Sequence, residues 1–188
     1  MVNLEKIVIY GASGSGKSTL AKQVGKILSI ESIHLDDLFW FPDWKVPTTE
    51  MFKKIVSKKI EGESWIIDGN YSKVRKMILS RATFAIILDL PLYIPIWRII
   101  ARTLSRNSKI KFHHSTPLPK RIEAGGSKEN SLFAIYELST YAIKHKFRKN
   151  KIIRQEVQEI LGYGNFVVLK SKKQVEDFLN EIKRMKVK

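Results

Sequence analysis

Cysteine is absent from this chain of 188 residues, which excludes disulfides, thiolate zinc sites and cysteine nucleophiles and suits a reducing compartment. Long apolar runs are missing as well. The longest candidate, Phe84 to Ile100, is interrupted by Asp89, Pro91, Pro95 and Arg98, so it reads as strand, turn and helix rather than as a membrane span. The first strand candidate begins within a few residues of Met1, leaving no space for a basic and apolar signal peptide. A cytoplasmic protein with no membrane partner is expected. Acidic residues are scarce: 18 Asp and Glu stand against 34 Lys and Arg, a formal charge of +16. Such a surplus attracts polyanions in general, nucleotides and nucleic acids among them. From Ala101 to Arg154, thirteen Lys and Arg meet three Glu, so a net +10 falls in that segment alone. A lysine-rich background that merely solvates helices is the plainer account of the same charge.

What the chain does contain is a phosphate-binding loop. Residues Gly11 to Ser18 read Gly-Ala-Ser-Gly-Ser-Gly-Lys-Ser, the complete G-x-x-x-x-G-K-[ST] pattern. The run Ile7-Val8-Ile9-Tyr10 before it has the character of a buried strand. Leu20, Ala21, Val24, Ile27 and Leu28 follow at helical spacing, so the motif sits in the strand-loop-helix context that its chemistry needs. Glycines at 11, 14 and 16 let the backbone turn its N–H groups onto phosphate oxygens, and the helix adds its positive end. Gly11, Ala12, Ser13, Gly14, Ser15, Gly16, Lys17, Ser18 and Thr19 are therefore the expected nucleotide contacts. Lys17 would reach the β- and γ-phosphates of ATP, and Ser18 would ligate Mg2+.

With 44% hydrophobic residues, the length suits one well-cored domain over residues 1–188 and is short for two. After the first helix, Ser32 to Leu35 reads as a second strand ending at Asp36, and Pro42 and Pro47 mark the aromatic stretch beyond it as loop. Thr48 or Thr49 caps a helix running to about Glu61, with Phe52, Ile55, Val56 and Ile60 inward. Trp65 to Asp68 is a third strand, followed by a short helix near Val74 to Ser80. Phe84 to Leu88 is the fourth, and a helix from about Leu92 to Arg106 comes next. Asn107 to Lys128 shows no clear period. Ser131 to Leu161 reads as helical, breaking near Asn150. Phe166 to Leu169 is the last strand, and Ser171 with Gln174 forms a capping box for the terminal helix. Apolar strands alternating with helices imply a parallel sheet covered on both faces. Ligands of such sheets lie at the carboxyl ends of the strands, where Gly11, Asp36, Asp68 and Asp89 all fall.

Asp68 closes its strand as a magnesium carboxylate would, or else caps the turn after it. Asp89 holds the same position one strand later and ranks second. Asp36 is the candidate base, placed to orient an acceptor hydroxyl toward the γ-phosphate, with helix or turn capping as its plainer role. Trp40 and Trp44 either stack on an acceptor ring or belong to the core. His34 is read as a satisfied packing residue rather than a catalyst. Arg98, Arg102 and Arg106 recur every four residues and form one stripe on a helix; their guanidinium groups suit a migrating phosphoryl group, and a solvated basic face is the alternative.

Taken together, several stretches resemble the bacterial P-loop kinase-like proteins often labelled DNA topology modulation proteins, relatives of adenylate and shikimate kinases. They are the phosphate loop, His34-Leu35-Asp36 with Trp40 and Trp44, Trp65 to Tyr71, Asp89-Leu90-Pro91 and Trp97 to Arg102. The resemblance spans nearly the whole chain and implies a three-layer α/β P-loop nucleoside triphosphate hydrolase fold, adenylate kinase-like, with a five-stranded parallel sheet and a lid. It implies an acceptor region at about 36–62, a lid at about 103–130, and phosphate-holding lid-entry arginines at Arg98 and Arg102. Arg121, Arg148 and Arg154 are candidates for an arginine returning from the lid. Asp36 is similar to the acceptor-binding aspartate of shikimate-type kinases. Asp68-Gly69 is similar to the Asp-Gly opening of an adenylate kinase motif, but Asn70-Tyr71 stands where that motif has Phe-Pro-Arg, which removes an arginine that grips an acceptor phosphate.

Two functions are consistent with these residues. The first is a kinase that transfers the γ-phosphoryl group of Mg-ATP to a hydroxyl of a small-molecule or nucleotide acceptor, with Lys17, Asp36, Arg98 and Arg102 as the catalytic set and Ser18 and Asp68 at the metal. The second is a DNA-binding protein with a regulatory nucleotide site. Its binding would be non-specific, since no helix-turn-helix or zinc-finger pattern is present. No Asn-Lys-x-Asp guanine-reading motif or Leu-Ser-Gly-Gly-Gln signature occurs either.

Overall fold

Four apolar stretches form the strands that their composition predicts. In the computed structural model, which describes residues 3–41, 45–94, 96–97 and 150–187, they are β1 (Lys6–Gly11), β3 (Trp65–Asp68), β4 (Phe84–Leu88) and β5 (Phe166–Leu169). The fifth strand, β2 (Ser32–His34), is shorter than expected. The remaining described elements are α1 (Lys17–Leu28), α2 (Leu35–Phe39), α3 (Thr49–Lys59), α4 (Ser72–Leu79), α5 (Asn150–Leu161) and α6 (Lys172–Val187). All strand pairs are parallel and the order is β2-β3-β1-β4-β5. The strand carrying the phosphate loop thus lies at the centre, between β3 and β4.

Alternation along the strands separates two cores. Val8, Tyr10, Ile67, Ala85 and Ile87 face a layer supplied by α2, α3, α4 and α5, through Leu35, Phe52, Val56, Val74, Ile78, Ile153 and Val157. Ile7, Ile9, Ile66, Ile86 and Leu88 face α1 and α6, through Leu20, Ala21, Val24 and Ile182. This is a three-layer α/β/α arrangement, with each buried strand apolar on both faces.

The helix ends are set by their residues. Thr48 caps α3, its hydroxyl accepting from Met51 N–H at 3.2 Å, and α3 stops at Lys59 rather than Glu61, Ile60 leaving the helical conformation with φ −101° and ψ 14°. At α6 the Ser171 hydroxyl accepts from Gln174 N–H at 3.1 Å. The Gln174 side chain reaches one residue further back than the usual box, accepting from Lys170 N–H at 2.6 Å. Buried Arg75 on α4 donates through Nε and Nη2 to Glu156 on α5, tying that returning helix to its neighbour in the same layer. Tyr10, fully buried, has its hydroxyl pKa raised, chiefly by burial.

One expectation is corrected here. The second strand does not continue to Leu35; it ends at His34, and Leu35–Phe39 turns into a helix whose first turn holds Asp36 and Asp37. Five residues are too few to display a helical period, and acidic side chains in a first turn suit the helix's positive end.

Candidate active site at the strand ends

The phosphate loop occupies the turn between β1 and α1. Gly14 and Gly16 have φ of 74° and 97°, left-handed values that L side chains avoid. Gly16 immediately precedes α1, and its carbonyl accepts from Leu20 N–H at 2.9 Å. The amides of Lys17, Ser18 and Thr19 therefore have no acceptor within the helix. No acidic residue lies in the first turn of α1 and no side chain caps it; the positive end of such a helix suits an anion. Lys17 Nζ donates to the Ala12 carbonyl at 2.9 Å, folding the ammonium group over the loop. At Gly11 a Cβ would stand 2.8 Å from Ser15 Oγ and 2.9 Å from Leu88 Cβ. The loop closes on itself too tightly there for any side chain.

Beside the loop, the β2–β3 register sets His34 opposite Asp68. His34 Nδ1 and Asp68 Oδ1 are 2.8 Å apart, and this hydrogen bond, opposed by partial burial, raises the His34 pKa. Asp68 is 3% exposed, and its Oδ2 is buried with no hydrogen-bond partner among the described residues. Asp36, in the first turn of α2, accepts from the Tyr71 hydroxyl at 2.7 Å. Burial raises the Asp36 pKa; the Tyr71 hydrogen bond and the Lys17 charge act against that rise, whereas Asp68 and Asp37 add to it. The candidate base is thus within electrostatic reach of the phosphate-loop lysine.

The turn leaving β3 connects these parts. Gly69 adopts φ +139°, and a Cβ on it would come within 2.7 Å of Leu35 Cβ. Gly69→Ala is expected to cost about 3 kcal/mol through backbone strain and overpacking, read as a lowered midpoint in urea unfolding with an unchanged slope. Asn70 comes next: its Nδ2 donates to the Gly11 carbonyl at 2.5 Å, and its Oδ1 lies 3.5 Å from Gly11 N. Tyr71 then packs its ring on Phe39 and Phe52, with centroids 4.7 and 5.1 Å away.

The expected nucleotide residues Gly11 to Thr19, together with Lys17, Asp36 and Asp68, thus gather at the carboxyl ends of β1, β2 and β3. Asp89 lies on the other side of the loop, at the end of β4, where Asn150 Nδ2 donates to its Oδ1 at 2.9 Å; both line a recess with Ala12, Ser15, Leu88, Leu90 and Leu92. Trp40 is half-buried and meets Phe39 edge-on at 5.3 Å. Arg154 is exposed on α5. Trp44, Arg98, Arg102, Arg106, Arg121, Arg148 and the proposed lid at about 103–130 lie outside the described residues. His34 is satisfied, as expected, but its partner is a site carboxylate rather than the core. From the sequence, Asn70 and Tyr71 stand out as the end of the Trp65 to Tyr71 stretch and as departures from the adenylate kinase motif, with no role of their own. Their positions just past a strand end, beside the loop's own strand, are the signal that could have found them. Among the described residues, no helix is long and apolar enough to cross a membrane, and no three His, Cys, Asp or Glu gather as a metal cage.

No family model matches this chain, and no curated protein sequence does. Solved structures do. The chain is similar to a shikimate kinase from Bacteroides thetaiotaomicron, with TM-score 0.55 and 15% identity over 97% of this chain and 98% of that one. A shikimate kinase from Acinetobacter baumannii in complex with shikimate gives TM-score 0.57 and 13% identity over 99% and 94% of the two chains. A gluconokinase from Sinorhizobium meliloti 1021 gives 0.51 and 13% over 96% and 90%. At such identities the likeness speaks for architecture: the chain has the P-loop kinase fold, an α/β arrangement built on a five-stranded parallel sheet.

Proposed function

We propose that this protein is a phosphotransferase that moves the γ-phosphoryl group of ATP to a hydroxyl of a small-molecule or nucleotide acceptor. The observation that carries this reading is the pairing of a complete phosphate loop with a half-buried carboxylate, Asp36, which the Tyr71 hydroxyl holds just past the neighbouring strand end. Three solved structures of similar fold are named as kinases, two shikimate kinases and one gluconokinase, which supports the reaction class and a hydroxyl acceptor. In this reading Gly11 to Thr19 bind the phosphate chain, and Lys17 leaves Ala12 to meet the β- and γ-oxygens. Asp36 accepts a hydrogen bond from the acceptor hydroxyl and aligns its oxygen with the phosphorus. Arg98 and Arg102 are assigned to the charge that spreads over the migrating group.

The donor set suits Mg2+. Asp68 has a buried oxygen without a hydrogen-bond partner among the described residues, and magnesium sites commonly use one or two carboxylates together with waters and substrate phosphates. Ser18 and Asp68 would hold the ion, which neutralises phosphate charge when bound; Asp89, engaged by Asn150, is assigned to joining α5 to the sheet instead.

Two measurements test the proposal. Mg-ATP at a hundredfold excess over Kd should add about 2.7 kcal/mol of stability, roughly 5 to 10 °C in Tm for a chain of this size. ATP consumption against a panel of hydroxyl-bearing metabolites should then name the acceptor. No stabilisation by Mg-ATP in well-folded protein would remove the nucleotide site.

The charge of +16 favours a second reading, non-specific nucleic-acid binding through the segment from Ala101 to Arg154. Duplex affinity would then fall steeply with salt, and more so in wild type than after charge reversal at Lys144, Lys146, Arg148 and Lys151. Absence of binding at physiological ionic strength would discard it.

A further inference from the structure

We propose that Asn70 and Tyr71 act as a pair of positioning residues that couple the nucleotide loop to the acceptor carboxylate; the inference rests on the phosphotransferase reading above. Two consecutive side chains grip the two halves of the site. Asn70 engages both hydrogen-bonding groups of Gly11, donating to its carbonyl and facing its N–H. The β1–β3 ladder ends at the pair Ile9 and Asp68, so the amide of Asn70 continues as a side chain the pairing that the backbone has abandoned. On its other side Gly11 pairs with Leu88 of β4. The point where strand becomes phosphate loop is therefore held from both neighbours.

Tyr71 reaches the other way. Its hydroxyl donates to Asp36 Oδ1 at 2.7 Å, while its ring is fixed between Phe39 of α2 and Phe52 of α3. One carboxylate oxygen is thus occupied by the protein, and Oδ2 is assigned to the acceptor hydroxyl. Successive Cα atoms across a trans peptide stand at a fixed separation of about 3.8 Å, and Gly69 is wedged against Leu35 of α2. Movement of the loop on nucleotide binding is transmitted through this short rigid turn to the carboxylate that must meet the γ-phosphate. In-line transfer depends steeply on such placement, a 1 Å error costing about a hundredfold.

Hydrogen exchange with a non-hydrolysable Mg-ATP analogue tests the coupling without knowledge of the acceptor. In wild type the analogue should slow exchange both in the loop, residues 11–19, and in the segment 34–41 that contains Asp36. Tyr71→Phe keeps the ring in its aromatic contacts, so analogue affinity should change by less than about threefold. Protection of 11–19 should persist while that of 34–41 is lost. Asn70→Asp keeps an acceptor for Gly11 N–H but sets an anion against the Gly11 carbonyl; affinity should fall about tenfold and the remote protection should vanish. Should Asn70→Asp fail to fold, the Tyr71→Phe arm decides alone. Remote protection undiminished in Tyr71→Phe, or none in wild type despite protection of the loop, overturns the coupling. Protection nowhere in wild type is a different result, and it overturns the nucleotide reading itself.

Discussion

Lys17→Ala is expected to lower kcat by about a thousandfold or more, the scale of loss that accompanies removal of a charged donor from a transferring phosphoryl group. The fold should hardly notice. Lys17 stands in the first turn of α1, its ammonium group donates to the Ala12 carbonyl, and alanine is the best helix former. Loss of a single partly exposed hydrogen bond costs about 1 kcal/mol, or roughly 2 to 4 °C in Tm. Kinetics and melting measured on the same preparation separate the two effects. A variant that consumed ATP at the wild-type rate would remove Lys17 from the chemistry, and one that failed to fold would assign it to the loop's structure instead.

How much of the molecule is legible in its sequence depends on the range of the interaction. Trp65–Asp68, Phe84–Leu88 and Phe166–Leu169 are readable because a continuous apolar run between polar residues has few other fates in an α/β chain. The phosphate loop is readable because its requirements are local: glycine where φ is positive and a lysine at the start of a helix. Asp36 and Asp68 can be nominated from strand ends alone. Their partners cannot, since His34 with Asp68, Tyr71 with Asp36 and Asn70 with Gly11 join residues 34, 35 and 59 positions apart. Each depends on which strands are neighbours and in what register, and that is decided by packing over the whole sheet. The helix α2 escapes for a different reason: with five residues and His34-Leu35 continuing a strand-like alternation, its sequence carries no period of its own.

Asp36→Asn separates function from stability with opposite signs. Transfer should fall by about two to four orders of magnitude, because the neutral amide cannot take up the acceptor's proton and orients its hydroxyl less strongly. Stability at neutral pH should rise. Burial lifts the Asp36 pKa above its ordinary value, so the folded state binds this proton more tightly than the unfolded chain does. The contribution of this linkage to stability is fully present below the unfolded pKa and is lost as pH rises through the folded one. At neutral pH the wild-type protein therefore holds a carboxylate that burial penalises, and the amide variant, whose oxygen still accepts from Tyr71, does not. The Tm advantage of Asp36→Asn should shrink as pH falls into the ordinary carboxylate range, where the wild-type side chain becomes neutral too. The same displacement places the acid limb of the wild-type rate profile above that range. Tyr71→Phe, which removes a hydrogen bond favouring the ionised form, should move the limb higher still. If Asp36→Asn melts below wild type at pH 7, the carboxylate is held by attractions stronger than its burial, and its assignment as a base gives way to a structural one.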